Sequence, residues 1–191
     1  MIKAIIFLGN PGRQYEETRH NIGWKVVDNL PFAFQLNWQK KFKSIYAQYL
    51  IDGEKYFFLK PQNFMNLSGE SVQPLMKFFK LSVDEILVVH DELELNFGII
   101  DLKKGGGLGG HNGLRSIVQQ IGDKNFYRLR VGIGRPARGD VTAHVLGKFT
   151  PDEQISLSTV LEKSAEAVEG CIENGVNSTM GKYNKMKVIN W

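Results

Sequence analysis

The tightest constraint on this chain is a four-residue apolar run, Ile86-Leu87-Val88-Val89, that breaks directly into His90-Asp91-Glu92. A stretch so short and so uniformly apolar has no polar face to turn to water, so it reads as a strand in a sheet covered on both sides. Ile2 to Leu8 is a second such run and stops at Gly9-Asn10-Pro11-Gly12. Elsewhere the apolar spacing becomes helical. Ile22, Val26 and Leu30 share a face before Pro31, and Val72, Leu75, Met76 and Phe79 repeat after a start near Ser68. Leu114, Ile117, Val118 and Ile121 line one side of a helix that follows a glycine-rich loop, Gly105 to Gly113. Tyr46–Ile51 and Lys55–Leu59 flank Asp52-Gly53, a strong hairpin signal. Tyr127, Leu129, Val131 and Ile133 alternate with Arg128 and Arg130, a strand with one basic face. Thr150-Pro151-Asp152-Glu153 has the cap, proline and glutamate of a helix start, and that helix runs to Asn174-Gly175. Strands alternating with helices, plus one hairpin, predict an α/β fold: a single domain over 1–191, with a twisted mixed central β-sheet flanked by helices.

Composition narrows the class. A length of 191 residues suits one core, and 42% hydrophobic with 23% charged residues is ordinary for a soluble globular protein. No run approaches the roughly 20 apolar residues that span a bilayer. Met1 to Phe7 lacks a basic region and a small-residue cleavage site, so it reads as a strand and not a signal peptide. The one cysteine, Cys171, excludes an internal disulfide and reads as a packed thiol beside Ala165, Val168 and Ile172. The formal charge of +4 matters less than its grouping: Lys40, Lys41 and Lys43; Lys103 and Lys104; Arg128, Arg130, Arg135 and Arg138; Lys182, Lys185 and Lys187. If several groups share a face a polyanion is the natural partner; otherwise they are solubilising charge.

Chemistry in this chain has few carriers. The histidines are His20, His90, His111 and His144, with no His-Glu-x-x-His, no paired cysteines and no ligands at short spacing, so no metal site is expected. No Gly-x-Ser-x-Gly elbow is present. His20 and Asp91 both follow strands, and ligands of open α/β sheets bind at the carboxyl edge, so the two could converge. An aspartate that accepts from one imidazole nitrogen leaves the other free as a base near neutral pH. Spacing alone favours a surface or capping histidine and allows an aspartate that merely ends its strand. Asn10, Asn66 and Asn112 each stand at a turn or helix start, where they are either caps or neutral amides able to hold a peptide or an oxyanion. Gly105, Gly107 and Gly110 spell Gly-x-Gly-x-x-Gly, but the next strand carries no acidic residue for a ribose. Close approach of the loop backbone to another group explains the glycines better.

Nearly the whole chain resembles the bacterial peptidyl-tRNA hydrolase family. The matching stretches are Leu8–Gly12, Tyr15, Thr18-Arg19-His20-Asn21 with Gly23, Phe64–Gly69, His90–Leu93, Gly109–Leu114 and Phe126 with Arg128–Gly134. The resemblance implies a metal-independent esterase, without cofactor, that frees tRNA and peptide from peptidyl-tRNA. It implies His20 as catalytic base, Asp91 as its orienting partner, Asn10 positioning the histidine or touching substrate, and Asn112 holding the water or the oxyanion. By the same resemblance Met65 and Asn66 line the peptide cleft, Tyr15 forms a wall, Asn21 contacts the 3′ end of tRNA, and Lys103 and Arg130 bind phosphates. A cytoplasmic monomer with no obligate protein partner and no membrane contact is implied as well. Phe7 and Leu108 depart from the family pattern, where glycine and a less apolar residue are frequent. A non-catalytic RNA-binding protein and a nucleotide-dependent enzyme are the competing classes.

Overall fold

A computed structural model describes residues 1–189, so the last two positions of the expected 1–191 domain lie outside the described residues. In chain order the strands are β1 (Ala4–Phe7), β2 (Gln39–Lys41), β3 (Ser44–Ile51), β4 (Glu54–Pro61), β5 (Ile86–Glu92), β6 (Ile99–Lys104), β7 (Tyr127–Gly132) and β8 (Met186–Lys187). The helices are α1 (Ile22–Val27), α2 (Gly69–Phe79), α3 (Asn112–Ile121), α4 (Val141–Val145), α5 (Pro151–Glu173) and α6 (Val176–Lys182). All these strands join one sheet in the order β2-β3-β4-β1-β5-β7-β6-β8. The middle four, β4, β1, β5 and β7, run parallel, and antiparallel strands close each edge. This is the mixed sheet the alternation predicts.

The apolar runs occupy the centre because they can be covered on both faces. Every residue of β1 and β5 is buried. One face packs Ile5, Phe7, Leu87 and Val89 against α1 and α5; the other packs Ala4, Ile6, Leu8 and Val88 against α2 and α3. Phe7 therefore fills a core position, stacked on Phe58 with ring centres 6.4 Å apart. The Thr150 capping box forms as expected, and Cys171 is fully buried on the inner face of α5. Burial pushes its thiol pKa up to about 12. The chain switches direction about β1, whose neighbours β4 and β5 both run parallel to it. The loops that follow β1, β4 and β5 consequently meet at one edge of the sheet, the place where such folds bind ligands.

Sequence periodicity missed β2, β6 and β8. Gln39-Lys40-Lys41 is wholly exposed and polar, so its strand geometry comes from pairing with β3 and not from a buried face. In β6 the buried Asp101 interrupts the apolar pattern, and its carboxylate is held by Arg130 and by the Lys185 backbone amide.

Candidate active site

His20 sits in a short 3-10 turn, Arg19–Asn21, immediately before α1. Its place is fixed by how closely α1 rests on the sheet. A Cβ on Gly23 would come within 2.6 Å of the Leu8 carbonyl oxygen and 2.8 Å of that of Val89. Only glycine lets the helix start lie on the ends of β1 and β5, and this brings His20 over Asp91. His20 Nδ1 lies 2.8 Å from Asp91 Oδ1.

The same carboxylate oxygen lies 2.9 Å from Nε2 of His111, a residue to which the sequence reading gave no role. His111 caps α3: its Nδ1 accepts from the amides of Gly113 and Leu114. A nitrogen that accepts two amide hydrogens carries no proton, so the ring proton of His111 is on Nε2 and is donated to Asp91. Asp91 thus accepts from both rings, with His20 Nδ1–H as the second donor. The lone pair of His20 is left on Nε2. His111 could have been found from its position just before a helix-starting Asn112, where a side-chain acceptor is wanted.

Electrostatics follow from burial against charge. Asp91 is 2% exposed. Desolvation alone would raise its pKa, but the two imidazoles outweigh it and hold the carboxyl well below the usual range. For His20, burial pulls the pKa down, yet the charge of Asp91 and its hydrogen bond prevail and raise it above the ordinary value. His90, on the adjacent position of β5, is driven the other way. It is fully buried, and desolvation first, then His111 and Arg128, outweigh the opposing pull of Asp91 and press its pKa well down. Its Nδ1 donates to the Asp91 backbone carbonyl at 2.7 Å.

His20, Asp91 and His111 offer three ligand atoms within 4.8 Å of one another, a cluster that sequence spacing could not reveal. The donor set would suit a divalent metal. The geometry fits it poorly: both ring nitrogens address one oxygen at 2.8 and 2.9 Å, hydrogen-bond distances, with one face of His111 fixed by backbone amides. A tetrahedral ion about 2.0–2.1 Å from each ligand would spread these atoms beyond about 3.3 Å.

The amides divide into two groups. Asn10 Oδ1 accepts from the Met65 amide at 2.7 Å, which ties the loop after β1 to the loop after β4. Asn21 is 1% exposed, and both ends of its side chain are committed to Asn10: Oδ1 accepts from the Asn10 amide and Nδ2 donates to its carbonyl. These two bonds let Asn21 position Asn10 and leave the second Nδ2 hydrogen unused. Asn66 and Asn112 are exposed beside a cleft of about 320 Å³ that is also lined by the largely buried Asn10, His20, Met65 and His111. Tyr15 packs edge-on against Phe64, which lines the same cleft. Across from these, α4 contributes Val141, Thr142 and Val145. Arg19 fastens this wall beside His20: Nη1 donates to the Lys148 carbonyl at 2.5 Å and Nη2 to Glu153 at 2.6 Å.

The basic strand resolves unevenly. Arg128 is 1% exposed and turns its guanidinium onto the carbonyls of Gly105 and Gly107. A Cβ on Gly106 (φ 89°) would meet Lys103 Nζ at 2.9 Å and Arg128 Nη2 at 3.1 Å, so close approach accounts for this glycine. Gly107 and Gly110, by contrast, have open space around them, and Gly109 and Gly110 are suited to their positive φ. Arg130 is shared between Glu92 at 2.7 Å and Asp101 at 2.6 Å. Lys103 makes no salt bridge among the described residues, and burial together with Arg130 and Arg128 lowers its pKa. Lys103 and the exposed Lys185, which lines the same concavity, carry the positive charge of this face that is open to an anion.

A histidine held by a buried carboxylate, ringed by amides at the carboxyl edge of a mixed sheet, is the kind of arrangement an α/β enzyme can use to activate water. Comparison with known proteins narrows the class. The peptidyl-tRNA hydrolase family model matches residues 4–190. The chain is 42% identical over 185 residues to the peptidyl-tRNA hydrolase of Listeria monocytogenes serotype 4a, covering 96% of this chain and all of that one. It is 44% identical over 189 residues to that of Geotalea daltonii, covering 98% and 99%. The crystal structure of the Acinetobacter baumannii enzyme superposes with a TM-score of 0.90 at 40% identity, covering 98% of this chain and 97% of that one. The chain belongs to the peptidyl-tRNA hydrolase family.

Proposed function

We propose that this protein hydrolyses the ester between peptide and tRNA in peptidyl-tRNA, with His20 as general base. The observation that carries the proposal is the 2.8 Å contact of His20 Nδ1 with a buried, charged Asp91, which commits the Nε2 lone pair to the cleft side. A water between Nε2 and the ester carbonyl loses a proton to His20 as its oxygen attacks carbon. The tetrahedral oxyanion then collapses, the bond to the terminal ribose oxygen breaks, and the imidazolium returns the proton to that oxygen. Free tRNA and a peptide carboxylate result. General-base help of this kind typically contributes about 10²–10⁴-fold.

Each remaining residue has a part consistent with its contacts. With Oδ1 held by Met65, Asn10 has only its Nδ2 amide to donate to a substrate carbonyl. Asn112, at the start of α3, faces the developing oxyanion. Met65, Asn66 and the Tyr15–Phe64 pair form the peptide side, and neutral amides there select an acylated nitrogen over a free ammonium. Lys103 draws the phosphate backbone, while Arg130, already between two carboxylates, holds that surface in shape. No helix among the described residues is long and apolar enough to cross a membrane. Action in the cytoplasm as a monomer, without obligate partner, metal or cofactor, completes the proposal.

The test is release of free tRNA from N-acetyl-aminoacyl-tRNA, with a chelator present, for the parent and His20→Ala. Rapid release that the substitution abolishes supports reaction and base together. Release surviving in His20→Ala removes the base assignment, and no release from a folded parent removes the hydrolase.

A further inference from the structure

The hairpin between β2 and β3 is closed by two non-glycine residues in left-handed conformation, Phe42 (φ 57°) and Lys43 (φ 50°), between the paired Lys41 and Ser44. Such a turn normally takes asparagine and glycine, because Cβ crowds the backbone there. Here the surroundings hold it. The Lys43 carbonyl accepts from Gln62 N and from Ser71 Oγ, each at 3.0 Å, and Ser44 Oγ donates to the Lys41 carbonyl at 2.5 Å. The strained turn secures a set of side chains. Lys41 Nζ lies 3.6 Å from the ring centre of the exposed Phe78 and 4.9 Å from that of Phe42. Lys43 pairs with Glu70 at 2.6 Å, so Lys40, Lys41 and Lys43 face one partner carboxylate among them. The lysines rim a concave patch floored by Ser44, Ile45 and Gln62.

Placement gives the patch its meaning. Ser44 pairs with Pro61 at the carboxyl end of β4, so the turn lies at the same sheet edge as His20 and Asp91. Three to four strand spacings separate it from Asp91 on β5, about 14–20 Å. Phe64, 55% exposed, stands between: it lines the cleft and follows by two residues the Gln62 that bonds Lys43. Lys103 and Arg130 lie on the opposite flank, on β6 and β7. If tRNA phosphates take that flank, the chain leaving the cleft past Phe64 is the peptide. At about 3.3–3.6 Å per extended residue, its fourth to sixth residues, counted back from the ester, reach the lysines. We propose that the turn Lys40–Lys43 is a docking surface for acidic side chains of the peptide, making this enzyme faster on acidic than on neutral peptides. This rests on the hydrolase reading above.

The test uses two eight-residue N-acetylated peptidyl-tRNAs, alike in tRNA and ester-linked residue, with Asp and Glu or Asn and Gln at the fourth to sixth positions. At low salt the parent should show kcat/KM roughly three- to tenfold higher on the acidic substrate, as expected for two or three exposed pairs, and the ratio should shrink with added salt. The variant Lys40→Gln/Lys41→Gln/Lys43→Gln should bring the ratio to one, and Lys41→Glu/Lys43→Glu should invert it. A ratio of one in the parent overturns the proposal. So does a triple variant that slows both substrates equally with a shallower salt dependence, which would assign the lysines to tRNA phosphates. A parent that cleaves neither substrate removes the hydrolase reading and this inference with it.

Discussion

Replacing Asp91 with asparagine keeps the volume of the side chain and removes the charge on which two imidazoles converge. In the parent, Asp91 Oδ1 accepts from His20 at 2.8 Å and from His111 at 2.9 Å. A hydrogen bond to a charged group contributes about 1.5–3 kcal/mol. Each 1.36 kcal/mol is tenfold in rate, so losing the charged acceptor from the reacting His20 lowers kcat/KM by at least about tenfold and up to about 150-fold. The amide can also turn its NH₂ toward Nδ1, which would place the ring proton on Nε2 and remove the base altogether. In that arrangement the loss approaches the whole general-base contribution, about 10⁴-fold. A second signature is independent of magnitude. Asp91 is what raises the His20 pKa against burial, so in Asp91→Asn that pKa falls. Because the base must be unprotonated, the acid limb of the kcat/KM profile moves to lower pH. The assay is tRNA release across pH 5 to 9 with both enzymes below saturation. A rate within threefold of the parent and an unmoved acid limb would refute the orienting role of Asp91.

Stability should peak near pH 6.5. The raised pKa of His20 makes its contribution full below its unfolded value of 6.5 and lost as pH rises through the folded pKa. The depressed pKa of His90 makes its contribution full above 6.5 and lost as pH falls toward the folded pKa. Urea unfolding from pH 5 to 8 checks this, and His90→Asn should flatten only the acidic side. Asn21→Ala leaves the Asn10 amide and carbonyl without their partners, a loss of about 1–3 kcal/mol, and should lower kcat more than an equally destabilising change distant from the cleft. Cys171, buried and with its thiol at about 12, should resist alkylation at pH 8 in the folded protein and react fully in denaturant, as mass spectrometry would show.

The strands of the centre, the hairpin at Asp52-Gly53 and the capped helix at Thr150 were legible because each depends on local chemistry. A run buried on both faces must be apolar throughout, and a turn or cap needs particular residues at fixed offsets. The edge strands were not legible, since the exposed Gln39–Lys41 takes its shape from the partner it pairs with. The site divides in the same way. Sequence motifs named His20, Asp91 and the three asparagines, because a family resemblance carries residue types in order along the chain. Their distances are decided by contacts between segments 71 positions apart in the case of His20 and Asp91. Only the tertiary structure could enrol His111 as the second donor to Asp91, bury Asn21 against Asn10, and spend Arg130 on two carboxylates. Residue type fixes what a side chain is able to donate or accept; which partner consumes that capacity depends on packing, and packing is settled by the whole chain at once.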